Sequence, residues 1–148
     1  MLVIENVTKR YGSFVAVDNI SLSIPRGTIH GFLGPNGAGK TTTMKMVCGL
    51  IRPTSGQISV AGFDVREAHL EVKKRLGYVP DRPHVYERLS ALEYMYFIAG
   101  LYRIDPEVAR DRAVEFLKLF GLSEVQNHLV ESFSHGMKQR LVMASVFM

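Results

Sequence analysis

Gly34-Pro35-Asn36-Gly37-Ala38-Gly39-Lys40-Thr41 meets every required position of the phosphate-binding loop pattern G-x-x-x-x-G-K-[ST]. Each residue type has a physical task there. Gly34, Asn36, Gly37, Ala38 and Gly39 build a loop whose glycines let the chain curl, so that backbone N–H groups point inward at the β- and γ-phosphates. Lys40 supplies a movable positive charge, and the Thr41 hydroxyl is a ligand for the Mg²⁺ that accompanies the nucleotide. Thr42 lies in the first turn of the helix expected next, whose positive dipole end adds to the same site. The pattern implies a nucleoside triphosphate site.

The flanks supply the setting this loop requires. Thr28-Ile29-His30-Gly31-Phe32-Leu33 is a short apolar run that reads as a buried strand. Residues 42–51 read as a helix, with Met44, Val47, Cys48 and Ile51 at helical spacing. Strand, glycine loop and helix in that order separate a nucleotide site from a chance glycine-rich turn.

The 148 residues suffice for one domain with a real core. Apolar residues make up 47% and charged residues 22%, the balance of an ordinary globular chain. The formal charge is +4, with lysines and arginines scattered along the sequence. A nucleic-acid partner would call for a basic stripe, so none is expected. Cys48 stands alone, which excludes a disulfide framework and suits a reducing compartment. The five histidines, at 30, 69, 84, 128 and 135, have no zinc-ligand spacing.

Residues 2–7 and 15–24 read as strands, the second with Ile20, Leu22 and Ile24 on one face and Ser21 and Ser23 on the other. A strand through Ile58 and Val60 follows the turn at 52–56, then a helix over 67–75 and a short strand at Leu76–Val79. Beyond Pro83 the pattern is helical. Ser90-Ala91-Leu92-Glu93 is a capping box opening a helix to about Arg103, and Asp105-Pro106 starts another that Gly121 stops. Ser134 precedes a last helix.

The stretch Ser132-Phe133-Ser134-His135-Gly136-Met137-Lys138-Gln139-Arg140 narrows the class. It resembles the signature motif of ATP-binding cassette (ABC) proteins, L-S-G-G-Q followed by a Gln-Arg pair. Ser134, Gly136, Gln139 and Arg140 match; Phe133, His135 and Met137 replace the Leu, the first Gly and the Gln. Ser134 alone would be no more than an N-cap. Together with the upstream loop, the resemblance covers the whole chain, and its consequences are expectations. The fold is α/β, a P-loop NTPase core (28–80) with an N-terminal antiparallel β subdomain (1–27), a loop plus helical subdomain (81–134) and the signature helix (135–148).

The resemblance also implies ATP and Mg²⁺ as cofactors and Tyr11 as an aromatic stacked on adenine; otherwise Tyr11 is a turn aromatic. It implies that Ser134, His135 and Gly136 contact, in trans, the nucleotide held by a second cassette. Asp81 falls where the family usually has a Gln reaching Mg²⁺ and the attacking water, and two roles stay open for it: touching the ion through a water, or holding the loop. Leu89, Leu92, Met95, Tyr96, Phe97 and Ile98 read as helical core, with a surface facing a membrane partner as the other reading.

The implied function is the ATP-binding subunit of a membrane transporter, an ATPase working with a transmembrane permease, cytoplasmic and peripheral at the inner membrane face, and in the style of export cassettes. The family's later Mg²⁺-holding Asp, water-activating Glu and γ-phosphate His have no counterpart here. The expectation is therefore a chain truncated before those residues, hydrolysing ATP poorly or not at all, with an exposed apolar sheet edge at 28–33. A catalytically incompetent interaction module and a soluble, non-transport cassette are the alternatives.

Overall fold

A computed structural model describes residues 1–148. The chain forms two compact units, Met1–Leu76 and Gly77–Met148, each with its own core.

The first unit is built on a four-stranded antiparallel sheet of order β2-β1-β3-β4, with β1 Leu2–Tyr11, β2 Phe14–Ile24, β3 Ser55–Val60 and β4 Phe63–Asp64. The turn at Gly12-Ser13 sets the register of β1 and β2, in which Tyr11 faces Phe14 and Ile4 faces Leu22. Ile4 also faces Ile58 across β3, so one apolar row crosses the sheet. The alternation in β2 is as the sequence indicates, with Ile20, Leu22 and Ile24 half-buried and Ser21 and Ser23 exposed. Irregularities in the ladder are compensated by side chains. Asn6 and Asn19 have positive φ, and their N–H groups donate to Ser21 Oγ (2.9 Å) and Thr8 Oγ1 (3.0 Å). Helix α1, Lys40–Val47, buries Met46 and Val47 in the core with Ile4, Val7, Val17 and Ile58. A short helix α2, His69–Lys73, adds Val72.

Three sequence-based expectations differ here. Residues 28–33 form no strand: Ile29 is fully exposed, at 103%, and Leu33 nearly so, at 91%. The sheet is wholly antiparallel and no strand lies alongside this segment, so its apolar side chains have nothing to pack on. Leu76–Val79 is likewise irregular. Helix α1 stops before Ile51, because the Gly49 and Leu50 N–H groups fold back onto the carbonyls of Met46 (3.0 Å) and Lys45 (2.9 Å). Met44 lies on the exposed side of that helix.

The second unit is helical: α3 Ala91–Leu101, α4 Pro106–Leu119 and α5 His135–Val146, with single 3₁₀ turns at Ser123–Val125 and Val130–Ser132. The start of α3 is capped as the sequence requires. Glu93 N–H donates to Ser90 Oγ, and Ser90 N–H donates to Glu93 Oε2 at 2.7 Å, which holds the Glu93 carboxyl below the usual carboxylate range. Asp105 Oδ1 accepts from the N–H groups of Glu107 and Val108 to start α4 behind Pro106. The core joins Tyr94 and Met95 of α3, Ala113 and Leu117 of α4 and Leu141 and Ala144 of α5 with Leu122, Val130 and Phe133. Leu89, Leu92 and Ile98 pack against it, whereas Tyr96 and Phe97 stay partly open to solvent. Gly77 lies so close to the Val146 side chain that a Cβ there would collide with it.

Candidate functional site

The phosphate-binding loop is shaped by one close approach. Gly39 has φ +81° and is the N-cap of α1; a Cβ on it would run into the carbonyl oxygen of Ala16 and come within 2.9 Å of Val17. Only glycine lets the loop lie against β2 in this way. Below it, Thr43 is buried and its Oγ1 donates to the Gly39 carbonyl at 3.0 Å, in parallel with the Thr43 N–H at 2.8 Å. This anchor was not singled out in the sequence, although a hydroxyl four residues after a loop glycine is its signal.

Lys40 turns back into the loop it follows. Its Nζ donates to the carbonyls of Gly34 (2.6 Å) and Pro35 (2.7 Å), and Ala38 N–H donates to Pro35 O (3.3 Å). A positive charge is thus held within a curl of backbone. No side chain caps α1, and its first turn has no acidic residue. Those first-turn N–H groups have no intrahelical acceptor, so together with Lys40 they present an electropositive end suited to phosphate oxygens. Thr41 is exposed at this end and Thr42 half-buried beside it. Gly34, Asn36, Gly37 and Ala38 are exposed. The donor set fits a nucleotide's phosphates with the Thr41 hydroxyl free for a divalent ion. No group of three His, Cys, Asp or Glu side chains is placed to hold a metal without such help.

Tyr11 closes β1, half-exposed, with Lys9 Nζ over its ring at 4.8 Å from the centroid. Its outer surface is free.

In the second unit, Ser134 caps α5, its Oγ accepting from Met137 N–H at 3.3 Å, and His135 and Gly136 are exposed at the helix start. His135 and Lys138 line a cavity of about 480 Å³ with Arg82, His84 and Glu87. Lys138 forms an ion pair with Glu87, and this hydrogen bond pulls the Glu87 carboxyl below its usual range. Asp81 is exposed at the bend after Pro80.

The Gln-Arg pair holds this unit together. Gln139 Nε2 donates to Pro80 O at 3.0 Å, fixing the segment next to Asp81 against α5. Its Oε1 is buried with no donor in the chain, an unfavourable state for an amide oxygen. Arg140 donates to the carbonyls of Phe120 (3.1 Å) and Gly121 (3.4 Å) at the end of α4, where a cation suits the helix dipole.

The sequence profile of the ABC transporter family matches residues 17–148, which include both motifs. The chain belongs to the ABC transporter family. Among relatives of this ABC transporter chain, the bacitracin transport ATP-binding protein BcrA of Bacillus licheniformis is 42% identical over 139 residues, covering 94% of this chain and 44% of the relative. The linearmycin resistance ATP-binding protein LnrL of Bacillus subtilis (strain 168) is 38% identical over 148 residues, all of this chain and 48% of the relative. The dimeric post-hydrolysis state of the ATP-binding cassette MJ0796 bound to ADP and Pi has a similar fold, with a TM-score of 0.84 and 29% identity over 99% of this chain and 68% of that one. The chain spans 25% to 59% of the length of curated relatives it matches. The expected fold class holds: a mixed α/β part of a cassette, with an antiparallel sheet and a helical unit.

Proposed function

We propose that this chain is the nucleotide-binding part of the ATP-binding subunit of an ABC transporter. Gly34, Asn36 and Gly37 through Thr42 cradle the phosphates of ATP, Tyr11 stacks on the adenine, and Thr41 serves the Mg²⁺. Ser134, His135 and Gly136 receive the phosphates of ATP held by a second cassette. The partner is a transmembrane permease, which brings the chain to the inner face of the membrane; no helix of the chain is long and apolar enough to cross one itself. Export is the favoured direction, because the related proteins are named for bacitracin transport, linearmycin resistance and SkfA peptide export.

The observation that carries this reading is Lys40 Nζ held inside the loop above an uncapped helix start. The loop and α1 offer cations, N–H groups and hydroxyls but no carboxylate to orient water. Binding with little or no turnover by these 148 residues is therefore the reading for hydrolysis. Equilibrium titration with a fluorescent ATP analogue tests the first part. Saturable Mg²⁺-dependent binding that weakens at least about tenfold in Lys40→Ala supports it, and equal affinity in the variant refutes it. Steady ATP turnover by the purified chain would refute the second.

A further inference from the structure

We propose that the first unit carries a second anion site, separate from the phosphate-binding loop, which takes a phosphate or phosphomonoester group. A cavity of about 210 Å³ lies between the turn after α1 and the start of α2. Arg52, Arg66, His69 and Lys73 line it, over an apolar floor that includes Ile51 and Val65. Arg66, His69 and Lys73 come from one short stretch, and the fold brings Arg52 from the turn after α1 to the same opening.

No carboxylate lines the cavity. Of the acidic groups nearest in sequence, Glu67 is exposed and forms no ion pair, Asp64 is held beside Arg66, and Glu71 is engaged away from the cavity. Asp64 Oδ1 accepts from the backbone N–H groups of Arg66 (2.7 Å) and Glu67 (3.2 Å) and stands 3.9 Å from Arg66 Nε, while Glu71 pairs with Lys74 (2.8 Å) and Arg75 (2.6 Å). Arg52, His69 and Lys73 take part in no ion pair. The charge surplus of the protein also belongs to this unit, where ten Lys and Arg stand against five Asp and Glu; the second unit has eight against nine.

Arg52 and Lys73 meet at this opening with no carboxylate paired to either, and an oxyanion between them relieves their repulsion. Arginine favours phosphate in particular, since its planar fork donates two parallel hydrogen bonds. The volume admits a phosphate and the first atoms of whatever bears it. The residues of the cavity are distinct from Gly34–Thr41, so the site stands or falls independently of nucleotide binding there.

The bearer is either a soluble phosphate compound or a lipid headgroup, and two arms of one experiment separate them. In the first arm, the full chain carrying Lys40→Ala, which weakens the loop site, is titrated with inorganic phosphate at pH 7 and followed by amide NMR. Saturable shifts confined to residues 49–53 and 65–73, weakened about tenfold by Arg52→Gln or Lys73→Gln, support the site. In the second arm, the same proteins are sedimented with phosphatidylcholine vesicles with or without phosphatidic acid. Sedimentation that needs phosphatidic acid and fails in those variants supports a headgroup. Arg66→Gln supplies the same comparison should one variant fail to fold. Absence of both responses, or responses unchanged in the variants, overturns the proposal.

Discussion

Gly39 shows how much one missing methyl group decides. Its positive φ and its approach to Ala16 are separate demands, and Gly37 shares only the first, with φ +84° and open space where a Cβ would stand. Gly37→Ala is expected to cost about 1 kcal/mol from backbone strain, and Gly39→Ala about 3 kcal/mol or more once the collision is added. Urea denaturation of the two variants measures the difference; equal losses would remove the steric argument. The loop pattern alone demands glycine at 39 and leaves 37 open. That Gly39 answers to Ala16 is not legible there, because the contact joins residues brought together only by the sheet. The bond from Gln139 to Pro80 O is hidden in the sequence for the same reason, whereas that from Thr43 to Gly39 O spans only four residues and has a local signal.

Helix starts were read well because capping is local. Ser90, Asp105 and Ser134 each act within three residues of their own positions, so the sequence alone locates α3, α4 and α5. The Glu93 half of the α3 box gives a pH signature. Its carboxyl is depressed in the folded chain, first by the Ser90 N–H, so its contribution is present above the ordinary glutamate pKa of about 4.3 and is lost as pH falls through the lower folded value. Between about pH 5 and pH 3, wild-type stability should fall more steeply than that of Glu93→Gln in paired denaturant titrations. Ser90→Ala removes the other half and is expected to cost about 1 kcal/mol at neutral pH. At the opposite end of α4, Arg140→Met should cost about 1 kcal/mol and speed amide exchange over residues 117–122, as the carbonyls of Phe120 and Gly121 lose their donor.

At the scale of the whole molecule, the segment 28–33 has the apolar composition of a strand but forms none. A strand is a property of its neighbours, and apolar content cannot report whether a partner is present. What the chain has there is an irregular stretch with Ile29 and Leu33 exposed, apolar surface of the kind that promotes self-association. Ile29→Lys with Leu33→Lys should lower self-association in light scattering at high concentration while leaving the melting temperature within a few degrees. The basic cavity escaped sequence reading for a parallel reason, as charge looks scattered until the turn after α1 and the start of α2 are brought together.

The fit of Gly77 under Val146 carries a further consequence. Valine on a helix is held to nearly one rotamer, so its methyl group cannot swing away from an added Cβ. The two positions therefore behave as one unit of inheritance: a library varied at 77 alone should return only glycine, and one varied at both should recover alanine at 77 wherever 146 has shrunk. Stabilities of Gly77→Ala, Val146→Ala and the double variant would show this as a non-additive rescue.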